Sequence, residues 1–337
     1  MRVFVAGATG AIGHPLVFAL IAAGHEPIGM TSSEHSLLTL REYGIEGVLA
    51  DALDAQAVDA ALRKVRRAAV IDELTSLPRH YTPDAMRATA ERDRRVRLEG
   101  GGNVLNAALA AGTRRYVVQS TGFFYGPGEG LAVETDALAA DATPAIASSV
   151  RTYQQIEERL LRASDLNAVA LRYGFFYRPG TWFTEDGDSA YQVRERKYPL
   201  AGSGSGVWSW VHIADAAAAT ATALECQPGI YNVLDDDPSE NYNVAPGVRR
   251  WHRSAGAATT DRGRSTRKVR TRFCLLCDPP ARRFERQSQT AARLRAQAPR
   301  MAYVTPQPQS TTSLKLVRSG SAKTRGASGA AASPLHG

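Results

Sequence analysis

The chain has 337 residues, which is ample for a buried core and excludes a disulfide-stapled miniprotein. Its formal net charge of +8 covers two different parts: from Val244 to the C-terminus we count 19 basic and 3 acidic residues, whereas residues 1–243 are acidic overall. The apolar run at 16–23 is far shorter than the ~20 residues that cross a bilayer, no charged leader precedes it, and only three cysteines are present. We therefore expect a cytoplasmic protein without a membrane partner or a disulfide framework.

A strand, a glycine turn and a helix open the chain. The β-branched and aromatic run 3–5 leads into the turn G-A-T-G-A-I-G at 7–13, and an apolar helical stretch follows. Gly7 permits the tight turn, Gly10 lets the backbone approach a pyrophosphate, and Gly13 allows the helix to pack closely on the strand. Phosphate would lie on the free amides at the positive end of that helix. The alternative is an ordinary glycine-rich turn.

Strands and helices continue to alternate after this turn. Strand candidates lie at 47–50, 68–71 and 116–120, and a helix at 103–111 precedes the last of them. Such alternation predicts an α/β fold, a doubly wound parallel (Rossmann) sheet with helices on both faces. In that context the glycine turn favours a dinucleotide site over a plain turn.

Further motifs follow in order along the chain: Asp51, Ser120-Thr121, Tyr125-Gly126, Leu171-Arg172-Tyr173, Tyr177-Arg178-Pro179-Gly180, Trp210-Val211-His212-Ile213-Ala214-Asp215-Ala216 and Gly229-Ile230-Tyr231-Asn232-Val233. With the glycine turn they resemble the short-chain dehydrogenase/reductase superfamily, in its extended or atypical branch, the NAD-dependent epimerase/dehydratase family. The resemblance runs from Met1 to about Asp237. It implies an epimerase, dehydratase or reductase that acts on a nucleotide-sugar or a small carbonyl compound, and it leaves a homodimer open.

The cofactor implied by the resemblance is NAD or NADP. An acidic side chain at the end of the second strand would bind the ribose hydroxyls of NAD, and a basic one would accept the 2′-phosphate of NADP. That strand ends in G-M-T-S-S at 29–33, with neither charge, and Glu34 comes too late to decide. The choice between the two cofactors therefore stays open. The residues expected to hold the dinucleotide are Gly7, Thr9, Gly10, Ile12, Gly13 and Asp51.

The resemblance also implies a Tyr-x-x-x-Lys pair on a helix around residues 149–161, in which the lysine cation favours tyrosinate. The sequence contains no lysine between Lys64 and Lys197. If Tyr153 is the tyrosine of the pair, Glu157 takes the lysine position and would raise the pKa of the phenol. In the other register, Ser149 takes the tyrosine position and Tyr153 the lysine position. Both registers lose the pair.

Ser120, Thr121 and Tyr153 are the catalytic candidates that remain. They form either a residual set for proton transfer and substrate orientation or the remnant of a lost active site. The sequence therefore leaves open whether the chain turns over a substrate, and a non-catalytic NAD(P)-sensing regulator is the alternative. Of the 25 aromatic residues, 15 lie between Tyr116 and Trp210, which favours an aromatic-lined pocket for a sugar or small apolar carbonyl compound over core packing alone.

Residues 244–337 differ in composition from residues 1–243. We divide the chain into an NAD(P)-binding Rossmann domain at 1–170, a small, truncated substrate region with the remaining strands at 171–243, and a basic tail at 244–337. The tail lacks sustained amphipathic segments, so we expect disorder or a non-native product of a shifted reading frame. A nucleic-acid-binding arm is the alternative, which we do not favour because aromatics are few there. The C-x-x-C pair at 274–277 has no second half, so we expect no metal.

Overall fold

The computed structural model describes residues 1–65, 68–128, 131–198, 200–201, 207–235, 239–240, 259–260 and 268–269. The strands are β1 (Arg2–Ala6), β2 (Glu26–Thr31), β3 (Glu46–Leu49), β4 (Ala69–Asp72), β5 (Arg115–Thr121), β6 (Leu131–Ala132), β7 (Asn167–Tyr173), β8 (Phe175–Tyr177), β9 (Leu200–Ala201), β10 (Val207–Trp208), β11 (Trp210–His212), β12 (Gly229–Val233), β13 (Ser239–Glu240), β14 (Thr259–Thr260) and β15 (Lys268–Val269). The helices are α1 (Gly13–Ala22), α2 (Glu34–Glu42), α3 (Ala55–Lys64), α4 (Pro83–Arg95), α5 (Gly101–Ala110), α6 (Pro144–Arg162), α7 (Asp188–Arg194) and α8 (Ile213–Ala223). A π-helical segment, Val96–Gly100, joins α4 to α5.

A seven-stranded sheet carries the fold. Its strand order is β12-β7-β5-β4-β1-β2-β3, and every neighbouring pair is parallel. The order reverses between β1 and β4, so the predicted doubly wound sheet is confirmed, as are the strand candidates. The division set at residue 170 falls inside β7, a strand of this sheet. Apart from β14 and β15, the predicted basic tail at 244–337 lies outside the described residues.

Two apolar layers cover the sheet. One contains Leu16, Val17 and Leu20 of α1 together with the alanine-rich buried side of α8. The other is formed by buried side chains of α3, α5 and α6 on the opposite face. Because successive strand residues point to opposite faces, Val3 and Val5 belong to the first layer, whereas Phe4 belongs to the second. The parallel sheet is therefore buried on both sides, which its near-continuous apolar strands require.

A smaller cluster stands apart from both layers. Phe183, Tyr198 and Trp210 are buried in it, and partly buried rings of the β8 and β11 region pack around them. β8 and β11 pair in parallel as a two-stranded sheet of their own. None of the helices within the described residues combines the length and apolar character needed to span a bilayer. Cys226 takes part in a disulfide bond, which the argument from cysteine number did not predict.

Candidate active site

The glycine turn closes at the carboxyl end of β1. Gly7 has a φ of +83°, which favours glycine, and a Cβ there would lie 2.8 Å from the Glu73 carbonyl oxygen. A Cβ on Gly13 would lie 2.1 Å from the Gly7 carbonyl oxygen, so only glycine lets α1 begin so close to the turn. Gly10 is exposed, and its amide donates to the Gly7 carbonyl at 2.9 Å. The turn therefore has the shape that the motif predicts.

The first turn of α1 is open to an anion. The residue before the helix, Ile12, provides no side-chain cap, and no acidic side chain lies in the first turn. The helix amides and the positive end of the dipole are thus available to phosphate. The Ile12 side chain itself is buried in the core, so it can contribute only its backbone. Thr9 is half-buried beside it. Binding of a dinucleotide by these residues remains a prediction.

Asp51 lies near the same edge, just after β3. It is exposed, and its Oδ1 accepts a hydrogen bond from the Leu53 amide at 3.0 Å, which fixes the side chain in a turn. β3 pairs with β2 through Thr31 and Leu49, and Ser33 caps α2 by accepting from the Ser36 amide at 3.2 Å. The ends of β2 and β3 thus bring Asp51 and the serines of the 29–33 strand end to one edge.

Ser120 is committed to a buried ion pair. Its Oγ donates to Oε1 of Glu157 at 2.6 Å. The same carboxylate accepts from Nε and Nη2 of Arg172, both at 2.7 Å, and both partners are buried. This bidentate pair accounts for the buried charge of Glu157. The sequence analysis placed this carboxylate against Tyr153, but in the structure it neutralises the arginine of β7. Arg172 continues the network, because its Nη1 donates to the Tyr125 hydroxyl at 2.8 Å.

Thr121 does not join Ser120. It is the last residue of β5 and pairs in register with Tyr173, whose side chain faces α8. Ser120 faces α6, so the two neighbouring candidates point to opposite faces of the sheet. The Thr121 hydroxyl is buried and has no hydrogen-bond partner within the described part of the chain. The structure therefore separates two candidates that the sequence analysis treated as a set.

Tyr153 lies on the α6 face beneath an arginine. The guanidinium carbon of Arg97 stands 5.1 Å from the centre of the Tyr153 ring. Burial raises the pKa of the Tyr153 phenol; the Arg97 charge lowers it, and the Asp93 carboxylate raises it. The expected direction was correct, but the expected cause, Glu157, was wrong because that carboxylate is turned to Arg172. Arg151, a basic residue of α6 two positions before Tyr153, is exposed.

Sequence reasoning missed two buried acids, Asp72 and Glu73, at the carboxyl end of β4. Burial raises the pKa of Glu73 to about 8, and Asp72 beside it acts in the same direction. Glu73 Oε1 lies 3.0 Å from the Tyr173 hydroxyl, which is 2.6 Å from Thr220 Oγ1, and that oxygen is 2.7 Å from the Ala216 carbonyl. The only sequence signal was an acidic pair that ends an apolar strand.

These three contacts require three protons. The Ala216 carbonyl can only accept, and the hydroxyls of Tyr173 and Thr220 carry one proton each. All three hydrogen bonds form together only when Glu73 carries the third proton and donates it to Tyr173. The geometry and the raised pKa therefore agree that Glu73 is a neutral carboxylic acid in the folded protein at neutral pH.

A row of aromatic rings begins at Tyr153. Phe124 lies 6.1 Å from it and 4.9 Å from Phe123, and Phe123 stacks on Phe175 at 4.4 Å. Phe175 stacks in turn on Trp208 at 4.4 Å. Phe123, Phe124, Phe175 and Trp208 are only partly buried. They follow β5 and β7, at the edge where ligands bind in doubly wound sheets. No cluster of His, Cys, Asp or Glu side chains within the described ranges could hold a metal ion.

A family model described as the NAD dependent epimerase/dehydratase family matches residues 3–233. The chain belongs to this family. A protein of a Streptomyces species named 3-diazoavenalumate denitrifying reductase is 41% identical to this family member over 244 residues, which cover 71% of this chain and 77% of that protein. The recognition made from the motifs is thereby confirmed, and nothing in these comparisons supports a regulator or a nucleic-acid binder.

Solved structures share the fold at lower identity. The UDP-glucose 4-epimerase of Thermus thermophilus in complex with NAD is 24% identical, has a TM-score of 0.61, and matches over 80% of this chain and 90% of its own. A dTDP-glucose 4,6-dehydratase of Streptomyces venezuelae with NAD bound is 20% identical and has a TM-score of 0.63. It matches over 80% of this chain and 88% of its own. At these identities the likeness extends to the fold alone.

Proposed function

We propose that this member of the NAD dependent epimerase/dehydratase family is an NAD(P)H-dependent reductase of a small molecule with a planar, apolar part. The observation that carries the proposal is the row of aromatic rings that leads from the buried Tyr153 to the partly exposed stack of Phe123, Phe175 and Trp208. Flat rings offer large apolar area and stacking contacts to a planar substrate. The relative that is 41% identical is named as a reductase of a diazo compound, which supports reduction over epimerisation.

The residues at the glycine turn fit a dinucleotide. Any side chain at Gly13 would collide with the turn, and Gly10 is exposed where a pyrophosphate would approach. In the proposal, the amides of Ile12 and Gly13 bind the pyrophosphate, Gly7, Thr9 and Gly10 form the turn that lets it approach, and Asp51 lies at the adenine end. When bound, the reduced cofactor supplies a hydride. The side chains of this protein orient the substrate, exclude water and supply a proton.

Tyr153 is the proposed proton donor. Its phenol is neutral at neutral pH because burial raises its pKa, and it adjoins the aromatic row through Phe124. With a carbonyl substrate, the oxygen next to the carbon that accepts the hydride takes this proton, so the Tyr153 O–H bond breaks as the new O–H bond forms. An aryl diazonium cation would need the hydride alone, with loss of N2, and would take no proton from Tyr153. Water then returns the proton to the phenolate. Ser120 is a positioning residue in this proposal, since its hydroxyl proton is held by Glu157.

Two experiments test the proposal. In the first, the full chain is titrated with NADH and NADPH, and Gly10→Val is compared with Ala22→Val, an exposed position at the far end of α1. We expect saturable binding of one cofactor by the wild type and by Ala22→Val, and its loss in Gly10→Val because a valine side chain blocks the approach of the phosphate.

The second experiment follows turnover with a cofactor deuterated at the transferable position. An aryl diazonium compound, an aromatic aldehyde and a UDP-sugar are offered in turn. Deuterium in the product of either aromatic compound, with stoichiometric oxidation of the cofactor, supports the reductase. Conversion of the UDP-sugar without net oxidation of the cofactor would instead make the protein an epimerase and overturn the proposal.

A further inference from the structure

Arg97 is a buried cation on a helical irregularity. It lies in the π-helical segment Val96–Gly100, and its side chain is 4% exposed. A π-helical turn shifts the side-chain register between the helices on either side, and such turns recur at functional sites. Arg97 pairs through Nε with Oδ2 of Asp93 at 2.8 Å. Burying a guanidinium costs desolvation free energy unless neighbouring groups compensate its charge. The groups around Arg97 are therefore informative.

The guanidinium of Arg97 faces the ring of Tyr153. The distance from its central carbon to the ring centre is 5.1 Å, within the range of a cation–π contact. The cation comes from the π-helical segment and not from α6. In the register in which Tyr153 is the tyrosine of the pair, the lysine position on α6 holds Glu157, which is turned to Arg172. A permanent positive charge is therefore present beside Tyr153 although the Tyr-x-x-x-Lys pair is absent.

We propose that Arg97 is the positioning residue that replaces the missing lysine, stabilising the tyrosinate that Tyr153 becomes when it gives its proton to the substrate. This inference rests on the proposed function. The proton passes from the phenol oxygen to the substrate, the electron pair of the O–H bond stays on that oxygen, and water restores the proton afterwards. Arginine suits the role because its charge persists at every physiological pH and its flat group stacks on the ring.

The charged groups around Tyr153 act in opposite directions. Arg97 favours tyrosinate, whereas Asp93, which also accepts from the Ser76 amide at 2.6 Å, disfavours it. The Asp72 carboxylate acts on the guanidinium of Arg97 and helps to raise its pKa. Removing Arg97 and removing the Asp93 charge should therefore move the Tyr153 pKa in opposite directions. A structural arginine could shift the pKa as well, so the effect of the same substitutions on the rate of the reaction separates the two roles.

The test places 3-fluorotyrosine at position 153 of the full chain and follows its ionisation by fluorine NMR. We expect Arg97→Met to raise the pKa of that phenol by about one unit or more, because an opposite charge within about 6 Å shifts a pKa by roughly one to three units. Asp93→Asn should lower it, and Arg97→Lys should stay near the wild type. Arg95→Met removes an exposed arginine, paired with Glu99 on the same helix, and should leave the pKa unchanged.

The same variants are then assayed with the substrate that the turnover experiment identifies. Arg97→Met should lower kcat at least about tenfold and move the alkaline limb of the pH profile upward, and Arg97→Lys should restore most of the rate. Equal pKa values in Arg97→Met, Asp93→Asn and the wild type would overturn the inference. The titration uses neither cofactor nor substrate, so this failure is distinguishable from failure of the proposed reductase function.

Discussion

Replacement of Glu73 by glutamine should change how the stability of the protein depends on pH. Glutamine keeps the size of the side chain and can still form a hydrogen bond with the Tyr173 hydroxyl, the partner of Glu73 Oε1. It cannot ionise. The folded protein holds the Glu73 pKa at about 8, compared with 4.5 for an ordinary glutamate. Between these values the folded chain binds more protons than the unfolded chain.

The sign follows from this proton difference. The free energy of unfolding falls as pH rises from about 4.5 to about 8, with a slope of up to about 1.4 kcal/mol per pH unit from this one group. The full interval corresponds to about 5 kcal/mol as an upper bound, because relaxation and water entry reduce the cost of a real buried carboxylate. We expect Glu73→Gln to gain at least about 2 kcal/mol on the wild type between pH 5 and pH 8.

Urea unfolding of both proteins at pH 5, 6, 7 and 8 measures this gain. Asp72 also has a pKa raised by burial, and it contributes a slope of the same sign to both proteins. The difference between the two curves therefore isolates Glu73. Parallel curves, with a constant difference from pH 5 to pH 8, would refute the argument that Glu73 is folded as the neutral acid.

Three further outcomes follow from the same structure. Gly13→Ala should destabilise the fold by several kcal/mol in urea unfolding and abolish cofactor binding, because its Cβ would lie 2.1 Å from a carbonyl oxygen of the turn. Glu157→Gln should cost about 3 kcal/mol or more by leaving a buried arginine unpaired, whereas Glu158→Gln, from an exposed pair on the same helix, should cost under about 1 kcal/mol. Phe123→Ala should raise KM for an aromatic substrate severalfold, compared with Phe18→Ala, a 40%-exposed ring of α1, in steady-state assays.

The glycine turn could be predicted from sequence because its constraints are local. Gly7 and Gly13 are required by backbone geometry within a few residues, and the alternation of strands and helices then fixes the edge where the turn lies. A parallel sheet with helices on both faces follows from the same alternation, whereas the strand order comes from the structure. The separation of Ser120 from Thr121 was also readable, since neighbouring strand residues face opposite sides, but the motif was treated as a unit.

The rest of the site depends on contacts between distant segments. Arg97 reaches Tyr153 because a π-helical turn changes the register of the helix, and an ordinary helical pattern does not indicate where that turn falls. Glu73 is neutral because the fold buries it beside Tyr173. The residues next to Glu73 in the sequence do not indicate this burial. The negative charge of Glu157 could have raised the pKa of Tyr153, but in the structure its partner is Arg172 on β7.

Three sets of buried groups near the carboxyl edge of the sheet have different surroundings, and the difference supports Tyr153 as the proposed proton donor. The charges of Glu157 and Arg172 satisfy each other in a closed ion pair, and the Ser120 hydroxyl is bound to the same carboxylate. Glu73 has a proton, but losing it would leave a buried negative charge and break a chain of three hydrogen bonds. Tyr153 has a proton and also a cation 5.1 Å from its ring. We therefore propose Tyr153, which combines a proton with a neighbouring cation that compensates its ionised form, as the group that releases a proton during the reaction and regains it afterwards.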